Sequence, residues 1–349
     1  MKKLGLLLFC VCLISCRHTS IYNEFPKTAN ITFQEIETEP VLAFICEMVL
    51  LDSVLITLEM LDNPFIQIFK LPDFTYINGF IYRGRGIQEE TYIAPYIRKL
   101  SGNSFYYQTI DHLKTYSYNE STKKINLEND IALSNDLNNA TQLFIMDRSI
   151  YGYDSDWREK EFIGFNLDTE EICAFGPKFP KVGMEITPSQ MMFPFTKILA
   201  ARDDGLRFAA LYDKFPLLRI FDNHGNLIHE SLFNNNQKSP FAFLQSNANA
   251  KEINETTLNY WKIKVTDSYI YGLYAGKTHG ELRTQERRVD DFCKEIHVWN
   301  WAGEPVLRLL LDKDVFSISI SPDDEYILAS SVNHNNKIFK INIRSLFES

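Results

Sequence analysis

A chain of 349 residues, 45% hydrophobic and 13% aromatic, can bury a large core, and 15 glycines with 13 prolines exclude collagen-like or low-complexity character. The formal net charge of −9 provides no global basic field for nucleic acid or for an anionic membrane surface.

The first residues read as a leader. Met1-Lys2-Lys3 is a positive n-region, and Leu4 to Leu13 is an apolar run too short to span a bilayer. Leu13-Ile14-Ser15-Cys16 resembles a bacterial lipobox, which implies cleavage before Cys16 and a diacylglycerol on its sulfur. A further N-acyl chain would make the attachment stable. Residues 1–15 are therefore expected to be a lipoprotein signal peptide, and 16–30, polar and irregular, a lipidated tether. The widely spaced Cys46, Cys173 and Cys293 show no disulfide framework, and Cys46 and Cys173 are expected to be buried small hydrophobes.

From residue 31 the chain is a succession of short strands with turn residues between them. Ile31 to Glu37 alternates, and Val41–Leu50, Ser53–Met60, Phe65–Leu71 and Tyr76–Tyr82 form a first group of four. Ser104–Ile110, Lys114–Tyr118, a polar stretch and Ala140–Met146 form a second; Ser149–Tyr153, Glu161–Leu167 and Glu171–Phe175 continue. Lys197–Ala201, Leu206–Tyr212, Leu217–Asp222 and Leu227–Leu232 make another group, with left-handed-tolerant residues in the turn Asp222-Asn223-His224-Gly225-Asn226. Asn234 to Glu255 reads as a long polar loop, and Gly276 to Phe292 as a charged excursion between later strands. Lys294 to Ile343 has the clearest pattern, five strands separated by four turns, including one at Lys313-Asp314.

About six groups of four strands, with no convincing amphipathic helix, predict an all-β, six-bladed β-propeller over 31–349. The last group has three strands, so the strand at about 31–37 is expected to complete it and close the ring, removing two free edges. A pair of β-sandwiches is the structural alternative.

The lipobox, the repeated four-strand units and Gly79-Phe80-Ile81-Tyr82-Arg83-Gly84-Arg85-Gly86-Ile87-Gln88-Glu89-Glu90 together resemble the TolB-like six-bladed propeller lipoproteins of Bacteroides and its relatives. Those chains carry Gly-Arg-Gly-Pro-Gly-Glu after the first blade; here Ile87-Gln88 replaces Pro-Gly, and Glu89 or Glu90 supplies the acid. The resemblance implies a fold and a compartment and little about chemistry.

Arg83 and Arg85, with Glu89 and Glu90, form the first candidate ligand site: two guanidiniums and exposed amides near a central channel suit an anion. The structural reading is a tight inter-blade turn with the arginines paired to the glutamates. Trp157, in a polar turn, is the best candidate for an exposed sugar-stacking ring; the other aromatics more often fill the space between blades. No metal-ligand cluster, nucleophile motif or nucleotide loop emerges, so no cofactor, metal or catalytic residue is assigned. The expected function is a non-enzymatic binding propeller for a protein, peptide or glycan. It would be anchored through Cys16 in the outer membrane and face the periplasm, since no acidic export signal follows Cys16. The alternatives are a hydrolase or lyase using channel-lining carboxylates, and a structural component of an envelope complex.

Overall fold

The computed structural model describes residues 18–39, 42–60, 63–86, 88–138, 140–154, 160–178, 195–235, 254–283, 292–334 and 337–348. Three short strands come first: β1 (His18–Tyr22), β2 (Thr28–Ile31) and β3 (Gln34–Glu37). Blade 1 is β4 (Ile45–Leu50), β5 (Val54–Glu59), β6 (Ile66–Lys70) and β7 (Thr75–Phe80). A parallel ribbon of β8 (Tyr82–Arg83) and β9 (Glu89–Glu90) leads to blade 2, which is β10 (Ile97–Ser101), β11 (Ser104–Gln108), β12 (His112–Asn119) and β13 (Lys124–Ala132). Blade 3 is β14 (Ala140–Met146), β15 (Ser149–Asp154), β16 (Lys160–Asn166) and β17 (Ile172–Lys178). Blade 4 is β18 (Lys197–Ala201), β19 (Arg207–Tyr212), β20 (Leu217–Asp222) and β21 (Leu227–Phe233). Blade 5 is β22 (Thr257–Val265), β23 (Tyr269–Thr278), β24 (Cys293–Asn300) and β25 (Pro305–Val315). Blade 6 is β26 (Ser317–Ile320), β27 (Tyr326–Ser330) and β28 (Lys337–Asn342), with β3 as its fourth strand.

The six-bladed propeller and its closure are as expected: Gln34–Glu37 pairs antiparallel with Lys337–Lys340. The hydrophobic core is divided among the blade interfaces. One buried cluster lies between each neighbouring pair of blades, and aromatic side chains supply much of it: Tyr107 and Tyr116 between blades 1 and 2, Phe162 and Phe208 between 3 and 4, Trp299 between 4 and 5. Sheets packed face to face bury alternate side chains of both, which is why the central strands of blade 1 read as continuous apolar runs.

The segment expected to be a tether is instead part of the ring. β1 pairs in parallel with β21 at the outer edge of blade 4, and β2 with β25 at the outer edge of blade 5. Between them Phe25 is buried against Phe233, His297 and Trp299, while Trp299 Nε1 donates to Tyr22 Oη at 2.9 Å. Residues 18–37 thus form a belt that covers the edges of three successive blades. The sequence hid it because an outer strand with one wet face needs few apolar residues.

Four further expectations are corrected. Lys313-Asp314 is no turn: β25 runs through to Val315, paired with Cys293, and the chain then crosses to the inner strand of blade 6. The polar stretch before Ala132 is β13, a largely exposed outer strand held by backbone pairing to β12. Ala140–Met146 opens blade 3; the inner strand of blade 2 is Ile97–Ser101, whose Arg98 and Lys99 mask its apolar alternation. Cys46 and Cys293 are buried, whereas Cys173 is exposed on β17.

Strand direction sorts the connections onto two ends of the ring. In each blade the innermost strand comes first in sequence, so the turns from first to second and from third to fourth strand share one end. The second-to-third turns and the blade-to-blade crossovers share the other. The strand ends flanking residues 155–159, 179–194, 236–253 and 284–291 all open on that second end.

Candidate binding site at the mouth of the channel

At the first end the inner strands of all six blades open into a cavity of about 490 Å³, lined among others by Leu50, Arg98, Asp147, Asp203, Lys264 and Ser319. Inner strands are short and carry side chains inward, so charged residues placed there must either pair across the channel or meet solvent.

On the floor they pair. Glu47 of β4, 4% exposed, accepts from Lys262 Nζ at 2.9 Å, Lys264 Nζ at 2.7 Å and Ser317 Oγ at 3.0 Å. Burial would push its carboxyl up, but the two ammoniums outweigh it and hold the group at about 2. Lys264 is pushed down by burial, against the pull of Glu47, and further by the nearby cations Lys262 and Arg98. Arg98 of β10 lies over the Tyr96 ring, donates Nη1 to the Leu199 carbonyl and donates Nη2 to Gln142 Oε1 at 2.7 Å. Gln142 reaches it from a bulge in β14, where the residue adopts a φ of 58°. Such a bulge re-aims a side chain at a local conformational cost.

The rim carries acids. Lys99 Nζ lies 3.9 Å from Asp52 and 3.7 Å from Asp203, Arg202 pairs with Asp204 at 2.5 Å, and Arg148 with Asp168 at 2.5 Å. Among the described residues no cation lies within ion-pair distance of Asp147 or Asp267. Asp203 is half exposed, yet the burial of its surroundings pushes its carboxyl up; Lys99 opposes this and Asp267 adds to it. Three hydroxyls of the lining are engaged in the fold: Tyr106 Oη accepts from the Ile145 amide at 3.2 Å, Ser319 Oγ from the Leu50 amide at 3.1 Å, and Thr266 Oγ1 donates to Asp324 at 2.8 Å.

A family model described as TolB-like 6-blade propeller-like matches residues 42–323. The chain belongs to this family. Among solved structures, this TolB-like propeller is similar to a Bacteroides vulgatus member of the DUF4221 family, at 13% identity and a TM-score of 0.63, covering 90% of this chain and 98% of that one. It is also similar to a Bacteroides fragilis protein for which export has been proposed, at 11% identity and a TM-score of 0.56, covering 92% of this chain and 98% of that one. At such identities the likeness speaks for the fold. No curated protein matches the sequence.

The residues singled out in the sequence lie elsewhere. Arg83, Arg85, Glu89 and Glu90 sit on the crossover from blade 1 to blade 2, at the opposite end of the ring, and none lines the cavity. The expected arginine–glutamate pairing is not what holds that loop. Glu89 accepts from the Gly86 amide at 2.7 Å, Glu90 pairs with Lys114 at 2.7 Å, and Arg83 donates to the Met60 carbonyl at 3.0 Å while covering the Phe65 ring. A Cβ on Gly84 would stand 2.0 Å from Glu89 Oε2, so a side chain there would displace the exposed Glu89 carboxylate from the loop. Arg85 is exposed. Cys16 and Trp157 fall outside the described residues. Tyr106, Tyr107, Trp299 and Trp301 are buried, as blade-filling aromatics should be. What the sequence reading missed are Glu47, Arg98, Lys262 and Lys264. A lone acid in the apolar run Ile45-Cys46-Glu47-Met48-Val49 and two lysines in a strand were the available signals.

Proposed function

We propose that this TolB-like propeller is an exported, lipid-anchored binding protein that takes a small polar ligand, or the polar end of a peptide or glycan, into the mouth of its channel. The observation that carries the reading is the cavity itself: about 490 Å³, framed by six rigid inner strands, and inside the roughly 300–1,000 Å³ range of small-ligand clefts. Charged groups held on strands, with their partners already in place, form a preorganised surface, and preorganisation lowers the entropic cost of binding.

The leader Met1 to Ser15 and the lipobox cysteine Cys16 support export and attachment through lipid. The proposed export of the Bacteroides fragilis neighbour agrees with this. The protein would then stand at the outer membrane, facing the periplasm, with an envelope peptide, protein or glycan as partner. Labelling of the wild type with a fatty-acid analogue, and its loss in Cys16→Ala, tests the anchor. Titration of the purified protein with envelope peptide and glycan pools tests the mouth. Ser101→Trp, an exposed position on the cavity wall, should abolish binding without changing Tm. Replacement of His279–Arg283 at the other end should leave binding intact; the reverse pattern would move the site to that end.

One observation favours a second reading, in which Asp203 and Asp267 work as an acid–base pair. A raised carboxyl beside a second carboxylate is what general acid catalysis needs. Bond cleavage lost in both Asp203→Asn and Asp267→Asn would support it.

A further inference from the structure

We infer that the floor of the cavity is a carboxylate subsite, in which Arg98 from blade 2 and Lys264 from blade 5 together hold the carboxylate of a small zwitterionic ligand. This rests on the mouth being the ligand site.

The charges on the floor do not balance. Glu47 is shared by Lys262 and Lys264, and among the described residues Arg98 has only the neutral acceptors Leu199 O and Gln142 Oε1. Arg98 Nε is a buried donor with no acceptor among the described residues. Leaving a buried guanidinium donor unsatisfied is costly. Both Arg98 and Lys264 line the cavity, so a ligand entering from solvent reaches them. Arg98 and Lys264 line the same cavity, and Arg98 adds to the downward push on Lys264, so an anion placed between them would meet both cations. The Tyr96 ring, the Leu199 carbonyl and the bulged Gln142 fix the guanidinium plane, which prepares it for two-point contact with a carboxylate.

The rim sets the rest of the ligand. Asp147 and Asp267 have no ion-pair partner among the described residues, and Asp203 shares Lys99 with Asp52. The site is therefore cationic at depth and anionic at the mouth. A carboxylate pointing inward and an ammonium or hydroxyls pointing outward meet opposite charge at both ends, the pattern of an amino acid or short peptide with a free C-terminus. A dianionic phosphate would face Glu47 below and the aspartates above, so a single negative charge fits better. An acidic sugar carries the same carboxylate without the ammonium, and the test separates the two.

The test is calorimetric titration of the full mature chain with four probes: trialanine, trialanine amide, trigalacturonate and its methyl ester. We expect trialanine to bind and its amide to bind about ten- to a hundredfold more weakly, the loss expected for a charge-assisted contact. Arg98→Gln and Lys264→Gln should each weaken trialanine by a similar factor and erase the difference between acid and amide. Preference for trigalacturonate over its ester would keep the carboxylate subsite and assign the ligand to acidic sugars. Equal affinity for the acid and neutral forms overturns the subsite, and the acid–neutral comparison in the wild type decides this even if a variant fails to fold. Silence from all four probes also overturns it; binding of the envelope pools that is lost in Ser101→Trp would then leave the mouth standing as a site of other chemistry.

Discussion

Truncating Phe25 to alanine separates a belt from a tether. The ring is 7% exposed, with its centroid 4.5 Å from that of His297, 5.7 Å from Phe233 and 5.9 Å from Trp299. A buried aromatic side chain removes about 150–250 Å² from water. At about 25 cal/mol per Å² that is about 4–6 kcal/mol, an upper bound because the unfolded chain already hides some of this area. Core Phe→Ala replacements cost about 3–5 kcal/mol, and a site at the outer edge of two blades can relax, so about 3 kcal/mol is expected. At about 2.1 cal/mol/K per residue, a chain of this size would show a fall in Tm of about 4 °C. The assay is urea unfolding of the mature chain, read as a lower midpoint at unchanged slope. Glu24→Ala, one residue away and exposed, is the control and should stay within about 0.5 kcal/mol of wild type. If Phe25→Ala behaves like that control, residues 18–31 detach without cost, and the account of the belt as part of the folded ring is wrong.

Other consequences follow from the buried charges and thiols. Between blades 3 and 4, Glu161 is fully buried and pairs with Lys197 and with Arg219 at 2.9 Å, while Tyr212 Oη donates to it at 3.0 Å; Glu161→Gln should cost about 3–5 kcal/mol in urea unfolding, and a cost below 1 kcal/mol would show that the charges there are not confined. Against the upward push of burial, His297 and Arg308 hold Glu295 at about 2, below its ordinary 4.5. The unfolded chain therefore binds more protons between those values, so the contribution of Glu295 to stability is whole above about pH 5 and is lost as pH falls towards 2; Glu295→Gln should flatten this acid limb of a stability–pH profile. Thiol reagents at pH 8 should label one cysteine of the folded mature chain beyond any lipidated Cys16, the exposed Cys173. Cys46, pushed up to about 12 by burial, and the buried Cys293 should react only on unfolding. Rapid labelling of all three in native buffer would contradict the packing of blades 1 and 5.

Strand order and blade number were legible because a blade's middle strands are packed on both faces and its turns need particular residues. Val54–Glu59 and Leu217–Asp222 reveal themselves by composition, and Asp222 to Asn226 by its turn chemistry, with Gly225 at a φ of 78° and Asp222 Oδ1 accepting from the His224 and Asn226 amides. The closing strand was legible by counting, since a blade one strand short needs a partner from the far end of the chain. The inner and outer strands were not. Ile97–Ser101 faces a polar channel and Lys124–Ala132 faces solvent, so neither carries the apolar alternation that marks a strand. Parallel pairing of β1 and β2 with strands some 200 or more residues away leaves no local pattern at all.

The candidate site divides in the same way. Arg83-Gly84-Arg85-Gly86 drew notice because glycines and arginines are conspicuous in sequence, yet that loop is explained by its own hydrogen bonds at the closed crossover. Glu47, Arg98 and Lys264 are scattered over more than 200 residues of chain and are individually unremarkable. The residue sequence by itself determined the all-β blades, their turns and the ring's closure, because those follow from local chemistry and from the need to bury alternate side chains. Only the tertiary structure decided which charged groups share the channel, because ring closure sets β4, β10 and β22 around one axis, and proximity across that axis has no counterpart in sequence spacing.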